Sequence, residues 1–563
     1  MDDQRRIMEL PRVSYDGADI EATVRKVAPT GEPLSLRPLQ VQALAAIKAA
    51  RGGFFPIGVG HGKAFIACLA GTVLHSKAVV IFTKAKLVHG LQKEFERVSR
   101  QFRIVSCRVI SYSTLSSPKS TDMLEALAER FGHDMCIVAD EAHCLKSRHS
   151  ARTRRVERII KKHPGMPFVA LSGTLFTKSI KDCSHLAEWA LRSQSPLPIE
   201  KHLLQAWSEV LDVGGKPGQA EFARMAAFIE LFSGTPRTRF PDLSMSEMVQ
   251  LARKAFQARL RSAPGVVASQ EGSLGTSLVL ELLEEPKPEQ ALLDAWGIAK
   301  NDMQDPNGDA FPDDISLWRF GRQISTGYFY WWDWPNGVID HEWLDARKDW
   351  ARFVRNELSH NPGPGYDSPF LVETAVRRRI KRGDTTSPIC QALLGWDAVR
   401  ERPVPPTRAR WLSTTLVEHA VDWVHAHEDP TILWFESKTV GDALRLMGME
   451  VLDASSTPDD YRFDQPRHVA MSWPSHRDGH NLQSWHRALV LEPPPNGQAM
   501  EQLLGRMHRA GQEADEVTVA IYHHIEPYRQ AVREARKQAW FIEQSTGNVQ
   551  KLNIANYTDS DVD

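Results

Sequence analysis

The sequence predicts an α/β protein: two parallel sheets flanked by helices, with a largely helical stretch between them. Three observations carry this. Short, continuous apolar runs recur in two blocks, a glycine-rich turn followed by a lysine and a helix-forming run stands near the start of the first, and strand-like runs at regular spacing are missing from about 180 to 408. Continuous rather than alternating apolar runs mark strands covered on both faces, which is the pattern of parallel sheets.

The first block holds Ala78-Val79-Val80-Ile81-Phe82, Arg108-Val109-Ile110-Ser111, Met135-Cys136-Ile137-Val138-Ala139 and Phe168-Val169-Ala170-Leu171. Before them runs Phe54-Phe55-Pro56-Ile57-Gly58-Val59-Gly60-His61-Gly62-Lys63-Ala64. An apolar run ending in a glycine turn, then Lys63 and the helix-forming run to Ala70, has the form of a strand–phosphate loop–helix unit. Its glycines let backbone N–H groups approach phosphate oxygens, the helix N-terminus adds partial positive charge, and Lys63 reaches the β and γ oxygens. The strict pattern has Gly where Ile57 stands and Ser or Thr where Ala64 stands.

Ligands of such sheets collect at the carboxyl ends of strands, and two runs end in polar clusters, Asp140-Glu141-Ala142-His143 and Ser172-Gly173-Thr174. Adjacent carboxylates suit Asp140 and Glu141 to hold Mg²⁺, with Glu141 also able to orient and deprotonate a water. Upstream, Leu36-Arg37-Pro38-Leu39-Gln40 opens an amphipathic helix. A Gln amide can bond adenine bidentately, so Gln40 is a candidate base reader, although a surface Gln is the commoner meaning.

The second block, about 409 to 528, contains Thr431-Ile432-Leu433-Trp434-Phe435, His468-Val469-Ala470-Met471-Ser472, Ala488-Leu489-Val490-Leu491 and Val517-Thr518-Val519-Ala520-Ile521. Between these lie Gly479-His480-Asn481-Leu482-Gln483 and Gln502-Leu503-Leu504-Gly505-Arg506-Met507-His508-Arg509-Ala510-Gly511-Gln512. Arg506 and Arg509 are three apart, so on a helix they share a face, and guanidinium forks match the charge on a transferring phosphoryl group.

Composition bounds the rest. A chain of 563 residues suggests about three or four domains of ~150 residues each. With 69 basic and 70 acidic residues, any nucleic-acid contact comes from local patches and not from a cationic whole. Six scattered cysteines without a C-x-x-C pair read as reduced thiols in a cytoplasm. No apolar run is long enough to span a membrane, and no apolar leader follows the charged N-terminus. Residues 148–162 are basic, fitting either a phosphodiester backbone or a solvated helix face. Six of the sixteen tryptophans fall between Trp318 and Trp350; such rings can stack on bases, and an aromatic core is the safer reading. Arg377-Arg378-Arg379-Ile380-Lys381-Arg382 is a candidate backbone contact.

Taken in order, these motifs resemble those of the two-lobed superfamily 2 helicases, and among them the Swi/Snf-type DNA translocases. Leu36 to Gln40 is similar to their adenine-reading motif, Gly60-His61-Gly62-Lys63 to motif I, Asp140 to His143 to motif II, Ser172 to Thr174 to motif III, Gly479 to Gln483 to motif V and Gln502 to Gln512 to motif VI. The ending His508-Arg509-Ala510-Gly511-Gln512 favours the Swi/Snf type over the RNA-directed branch. Wording around Gly265-Val266-Val267, Tyr328 to Trp334 and Glu501 to Gln512 resembles phage or prophage helicases. The likeness covers both lobes, about half the chain.

The resemblance implies a division into an N-terminal arm (1–33), an ATP-binding RecA-like lobe (34–185), a mainly helical inserted domain (186–408), a second RecA-like lobe (409–528) and a C-terminal helix with a loose tail (529–563). It implies ATP and Mg²⁺ between the lobes, bound through Arg37, Gln40, Gly58, Gly60, His61, Gly62, Lys63, Ala64 and Gly479, with Asp140 and Glu141 at the metal. Lys63, Glu141, Gln502, Arg506 and Arg509 would carry catalysis. The expected activity is ATP-dependent movement along DNA, with duplex DNA the expected form, in a cytoplasm (the host's if phage-encoded), alongside replication, repair or recombination proteins and away from membranes. Two departures stand out: Ala64 lacks the hydroxyl that ligates Mg²⁺, and Leu175 replaces the usual proline of motif III. Ala64 motivates an alternative, a hydrolysis-poor ATP-gated clamp or scaffold on nucleic acid; an RNA helicase is the third reading.

Overall fold

The computed structural model describes residues 2–557 except 32, 59–60, 116–120, 149, 174, 177–178, 214, 270–275, 307–310, 312–313, 335–336, 361–368, 458–459, 461–462, 464, 478–479 and 510. Its strands in chain order are β1 (Gly53–Pro56), β2 (Ala78–Thr83), β3 (Cys107–Ser111), β4 (Met135–Asp140), β5 (Phe168–Ser172), β6 (Ser277–Leu283), β7 (Tyr328–Trp332), β8 (Thr407–Trp411), β9 (Thr431–Phe435), β10 (Val451–Leu452), β11 (Val469–Ser472), β12 (Arg487–Val490), β13 (Glu516–Tyr522) and β14 (Asn556–Tyr557). A five-stranded parallel sheet has the order β1-β5-β4-β2-β3. A seven-stranded parallel sheet has the order β10-β11-β9-β12-β13-β6-β14. The predicted α/β class with two parallel sheets and a helical region between them is what the chain adopts, in a form consistent with tandem RecA-like domains.

The continuous apolar runs have the expected cause. In the first sheet Phe54, Val80, Ile137 and Phe168 face one core, while their neighbours Phe55, Val79, Val138 and Val169 face another on the opposite side. Successive strand side chains point to opposite faces, so a strand covered twice must be apolar at every position. The second sheet repeats this, with Ile432, Trp434 and Val490 on one side and Leu433, Phe435 and Leu489 on the other.

The stretch 186–408 is more divided than its helical reading suggests. Its early helices supply Trp207, Phe228 and Phe256 to the same core as Phe54 and Phe168. β6 then leaves for the second sheet, pairing with β13 from Ser277 opposite Glu516 to Leu283 opposite Tyr522. What remains is built on helices and the antiparallel ribbon β7–β8. Its tryptophans pack on one another: Trp332, Trp334, Trp343 and Trp396 have ring centroids 5.7 to 6.2 Å apart, with Trp334 and Trp343 buried. Arg377 is forked onto Asp397 and Glu373, and Arg379 onto Asp384. Two of the candidate backbone cations therefore brace helices Pro369–Lys381 and Pro388–Val399 locally. In the basic segment 148–162, Arg154 and Arg155 are likewise buried.

The N-terminal arm forms two short helices, Asp3–Glu9 and Ile20–Val24. Asp3 accepts the N–H groups of Ile199 and Glu200, while Arg6 donates to the carbonyls of Ser193, Ser195 and Leu197. At the far end, helix Glu526–Thr546 leaves the second sheet after β13 and crosses to helix Met245–Arg261 beside the first. Arg253 lies over the rings of Trp540 and Phe541 at 4.8 and 5.5 Å.

One buried acid in the second lobe has a measurable consequence. Glu492 Oε2 accepts the N–H groups of Glu436 and Ser437, and Thr326 Oγ1 donates to Oε1 at 3.4 Å. Burial and the charge of Glu436 push its carboxyl up to about 7. The folded protein holds this proton to about pH 7, whereas the unfolded chain releases it near 4.5. The folded state thus binds more protons between those values, so rising pH favours unfolding, by about 3 kcal/mol across the window. Glu492→Gln should flatten that loss, read as the difference between variant and parent in denaturant melts at pH 5 and pH 8.

Candidate functional site

The strand order explains why distant motifs meet. β5 lies between β1 and β4, so the glycine-rich loop after β1, Ser172-Gly173 at the end of β5 and Asp140-Glu141 at the end of β4 are neighbours. Gly62 has φ 71° and is the N-cap of helix Lys63–Val73. A Cβ there would stand 2.2 Å from Gln40 Nε2, so only glycine fits both the left-handed backbone and the space. Gln40 is buried; its Oε1 accepts the Arg37 N–H at 2.8 Å, and its Nε2 donates to the Gly62 carbonyl at 3.2 Å. Each end of the amide retains one further hydrogen-bonding position, which is what a bidentate base contact requires.

Lys63 curls into the loop, donating to the carbonyls of Ile57 and Gly58 at 3.1 and 3.2 Å, with Glu141 Oε1 at 3.8 Å. Asp140 is buried and accepts from Thr83 Oγ1 at 3.0 Å. Burial, then the neighbouring Glu141 charge, pushes Asp140 up to about 6. Burial also works against ionised Glu141, but Lys63 and His143 outweigh it and hold this carboxyl below its usual range. Glu141 has φ 55°, a left-handed conformation costing a non-glycine residue about 1–2 kcal/mol.

His143 joins the lobes. Its Nδ1 lies 2.9 Å from Ser172 Oγ and 3.2 Å from Glu141 Oε2, while its Nε2 accepts from Gln498 Nε2 at 2.6 Å. With the Gln498 amide donating, the ring proton sits on Nδ1, facing Glu141 and Ser172. Gln498 belongs to helix Gly497–Met507, which also places Glu501 and Gln502 at the cleft. Gly58, Lys63, Glu141 and Gly173 line the opposite side. Gln502 is buried, and its Oε1 has no hydrogen-bond partner among the described residues.

The arginines depart from the sequence expectation. The helix ends at Met507, so Arg506 lies on it and Arg509 beyond it, and the two do not share a helical face. Arg506 is buried and donates to the carbonyls of Gln502 and His480 at 3.3 and 3.1 Å. Arg509 Nη1 donates to Asn481 Oδ1 at 2.6 Å, and its Nε is buried with no partner among the described residues. Burial, then the charge of Arg37 from the other lobe, lowers the Arg509 pKa. His61 and Ala64 are half-buried beside the loop. Gly60, Gly479 and Thr174 lie outside the described residues.

The cleft holds a cavity of about 10 Å³, room for roughly one water. Among the described residues no three His, Cys, Asp or Glu side chains gather as a metal cluster. Three lining residues, Ser269, Asn548 and Gln550, escaped the sequence reading because they belong to no phosphate-loop or arginine pattern. No protein-family model matches the chain, and a search of curated proteins finds no significant match. Among the described residues no helix is long and apolar enough to cross a membrane.

Proposed function

We propose that this chain is an ATP-dependent DNA translocase or helicase of the Swi/Snf type, built from two RecA-like lobes. The observation that carries this reading is the convergence in one cleft of Lys63 and Glu141 from the first sheet with Gln502 from the second. A lysine and a free helix N-terminus suit a triphosphate, and Glu141, held ionised by Lys63 and His143, suits the removal of a proton from an attacking water. When bound, Mg²⁺ supplies positive charge to the β and γ oxygens, and Asp140 and Glu141 would hold it. Lys63 must leave the Ile57 and Gly58 carbonyls to meet the phosphates. That exchange, with the parting of the lobes, would link nucleotide binding to the movement of one lobe against the other along DNA.

ATP turnover measured alone and with duplex DNA, single-stranded DNA and RNA tests this. Stimulation by DNA is expected. Stimulation by RNA alone would turn the reading to an RNA helicase, and nucleotide-dependent DNA binding without turnover to the clamp.

Ala64 motivates that clamp. It is the second residue of helix Lys63–Val73, where a hydroxyl would reach the metal. Mg²⁺ commonly keeps several waters, so a water can replace this ligand and binding should survive, with catalysis suffering more. Ala64→Thr should therefore raise turnover with little change in nucleotide-free DNA binding. A parent that already hydrolyses ATP briskly with DNA, matched by its Thr variant, would remove the ground for the clamp.

A further inference from the structure

The third wall of the cleft comes from the far end of the chain. Helix Glu526–Thr546 stops at Gly547, whose φ is 75° and whose Cβ would meet Gln257 Nε2 at 2.4 Å, so the chain turns sharply there. The next residue, Asn548, is buried, and its side chain reaches back to the first strand: Nδ2 donates to the Pro56 carbonyl at 2.9 Å. Its Oδ1 accepts from Ser269 Oγ at 3.1 Å, and Ser269 Oγ in turn accepts the Gly58 N–H of the phosphate loop at 3.0 Å. Ser269 is brought there by a segment running beside β1, with Phe54 N–H donating to Gly265 O and Ser269 N–H donating to Pro56 O. Arg261 Nη2 donates to the carbonyls of both Ser269 and Gly547. On the other side, Lys551 N–H donates to Glu501 Oε2 at 2.7 Å.

This segment also presents an acceptor to the cleft. Gln550 is buried and its Oε1, like that of Gln502, has no partner among the described residues. Buried carbonyl oxygens are rarely left unpaired, and two of them lining one cavity mark a place where a bound molecule or its waters donate.

We propose that Asn548, acting through Ser269, is a positioning residue for the phosphate loop, which makes the segment 547–551 a working part of the nucleotide site. The inference rests on the ATP-hydrolysing reading above. The relay Asn548–Ser269–Gly58 holds the loop in one arrangement at its first turn. Without it the loop samples others, and apparent affinity falls by the fraction of time the competent arrangement is lost. The helix that leads into Asn548 starts in the second lobe, so the relay also ties loop geometry to the spacing of the lobes.

The test uses the full chain with duplex DNA, measuring kcat, KM for ATP and the melting temperature. Asn548→Ala should raise KM about tenfold, the worth of a buried hydrogen bond. Ser269→Ala should do the same, the double variant should be no worse than the worse single one, and Ser269→Thr, which keeps the hydroxyl, should retain the parent KM. A lower melting temperature with unchanged KM in both alanine variants would overturn the inference, as would strictly additive effects. Lys63→Ala separates the two readings. Loss of turnover in Lys63→Ala with a parent-like KM in Asn548→Ala overturns the relay alone, whereas a parent that neither binds nor hydrolyses ATP overturns both.

Discussion

Glu141→Gln is expected to cut ATP turnover by about 10²–10⁴, the usual worth of a positioned base, while the protein still binds ATP. The change is nearly isosteric. The new amide oxygen can accept the His143 Nδ1–H that faces Glu141 Oε2, so the join to Gln498 and the second lobe should persist. What disappears is the negative charge that Lys63 and His143 hold in place, and with it the means of taking a proton from water. Lys63, 3.8 Å from that carboxylate, would lose a competitor for its charge, so affinity for a triphosphate should hold or rise. Lys63→Ala should instead lose nucleotide binding, because it removes the cation itself. Calorimetric ATP binding beside steady-state turnover distinguishes the two, and parent-level turnover by Glu141→Gln would sink its assignment as the base.

Arg509→Ala should lower turnover on the order of 10³ with a modest change in ATP affinity, the pattern of a cation that acts on transition-state charge. The geometry singles out Arg509 over Arg506. Arg506 is committed to two carbonyls of its own lobe, so its loss should loosen the segment around His480 and show in stability as well as in rate. Arg509 has a buried Nε with no partner among the described residues and feels the charge of Arg37 from the other lobe. Two guanidinium groups from different lobes repel until an anion lies between them, so a phosphate at that place would favour the approach of the lobes. Normal turnover in Arg509→Ala would show that the transition-state charge is met elsewhere. A chain ending near 405 should be inactive by the same logic, since it lacks Gln502 and both arginines.

Local pattern was enough for strands β1 to β5, β9 and β11 to β13 and for the glycine turn at Gly62. Phe54 and Phe55 both had to be apolar because one core waits on each face of β1, and Gly62 had to be glycine because its φ is positive and Gln40 fills the space of a Cβ. Such requirements act over a few residues and leave a signature at those residues. The helix around Arg506 was legible for the same reason, but its end was not: nothing in the spacing of Arg506 and Arg509 says that the helix stops at Met507.

Contacts between distant segments left no comparable mark. β6 is a short apolar run, Leu278-Val279-Leu280-Glu281-Leu282-Leu283, that fits a strand or a buried turn of helix, and only packing sends it to β13 instead of leaving it in the helical region. Arg377 and Arg379 look like a cationic patch until the fold brings Glu373, Asp397 and Asp384 to them. Asn548 meets Pro56 across 492 residues, and Gln498 meets His143 across 355. A hydrogen bond over such a span depends on where two sheets and a crossing helix come to rest, a property of the whole chain's packing. A side chain's type records what it can bond, and the tertiary structure alone decides which partner arrives.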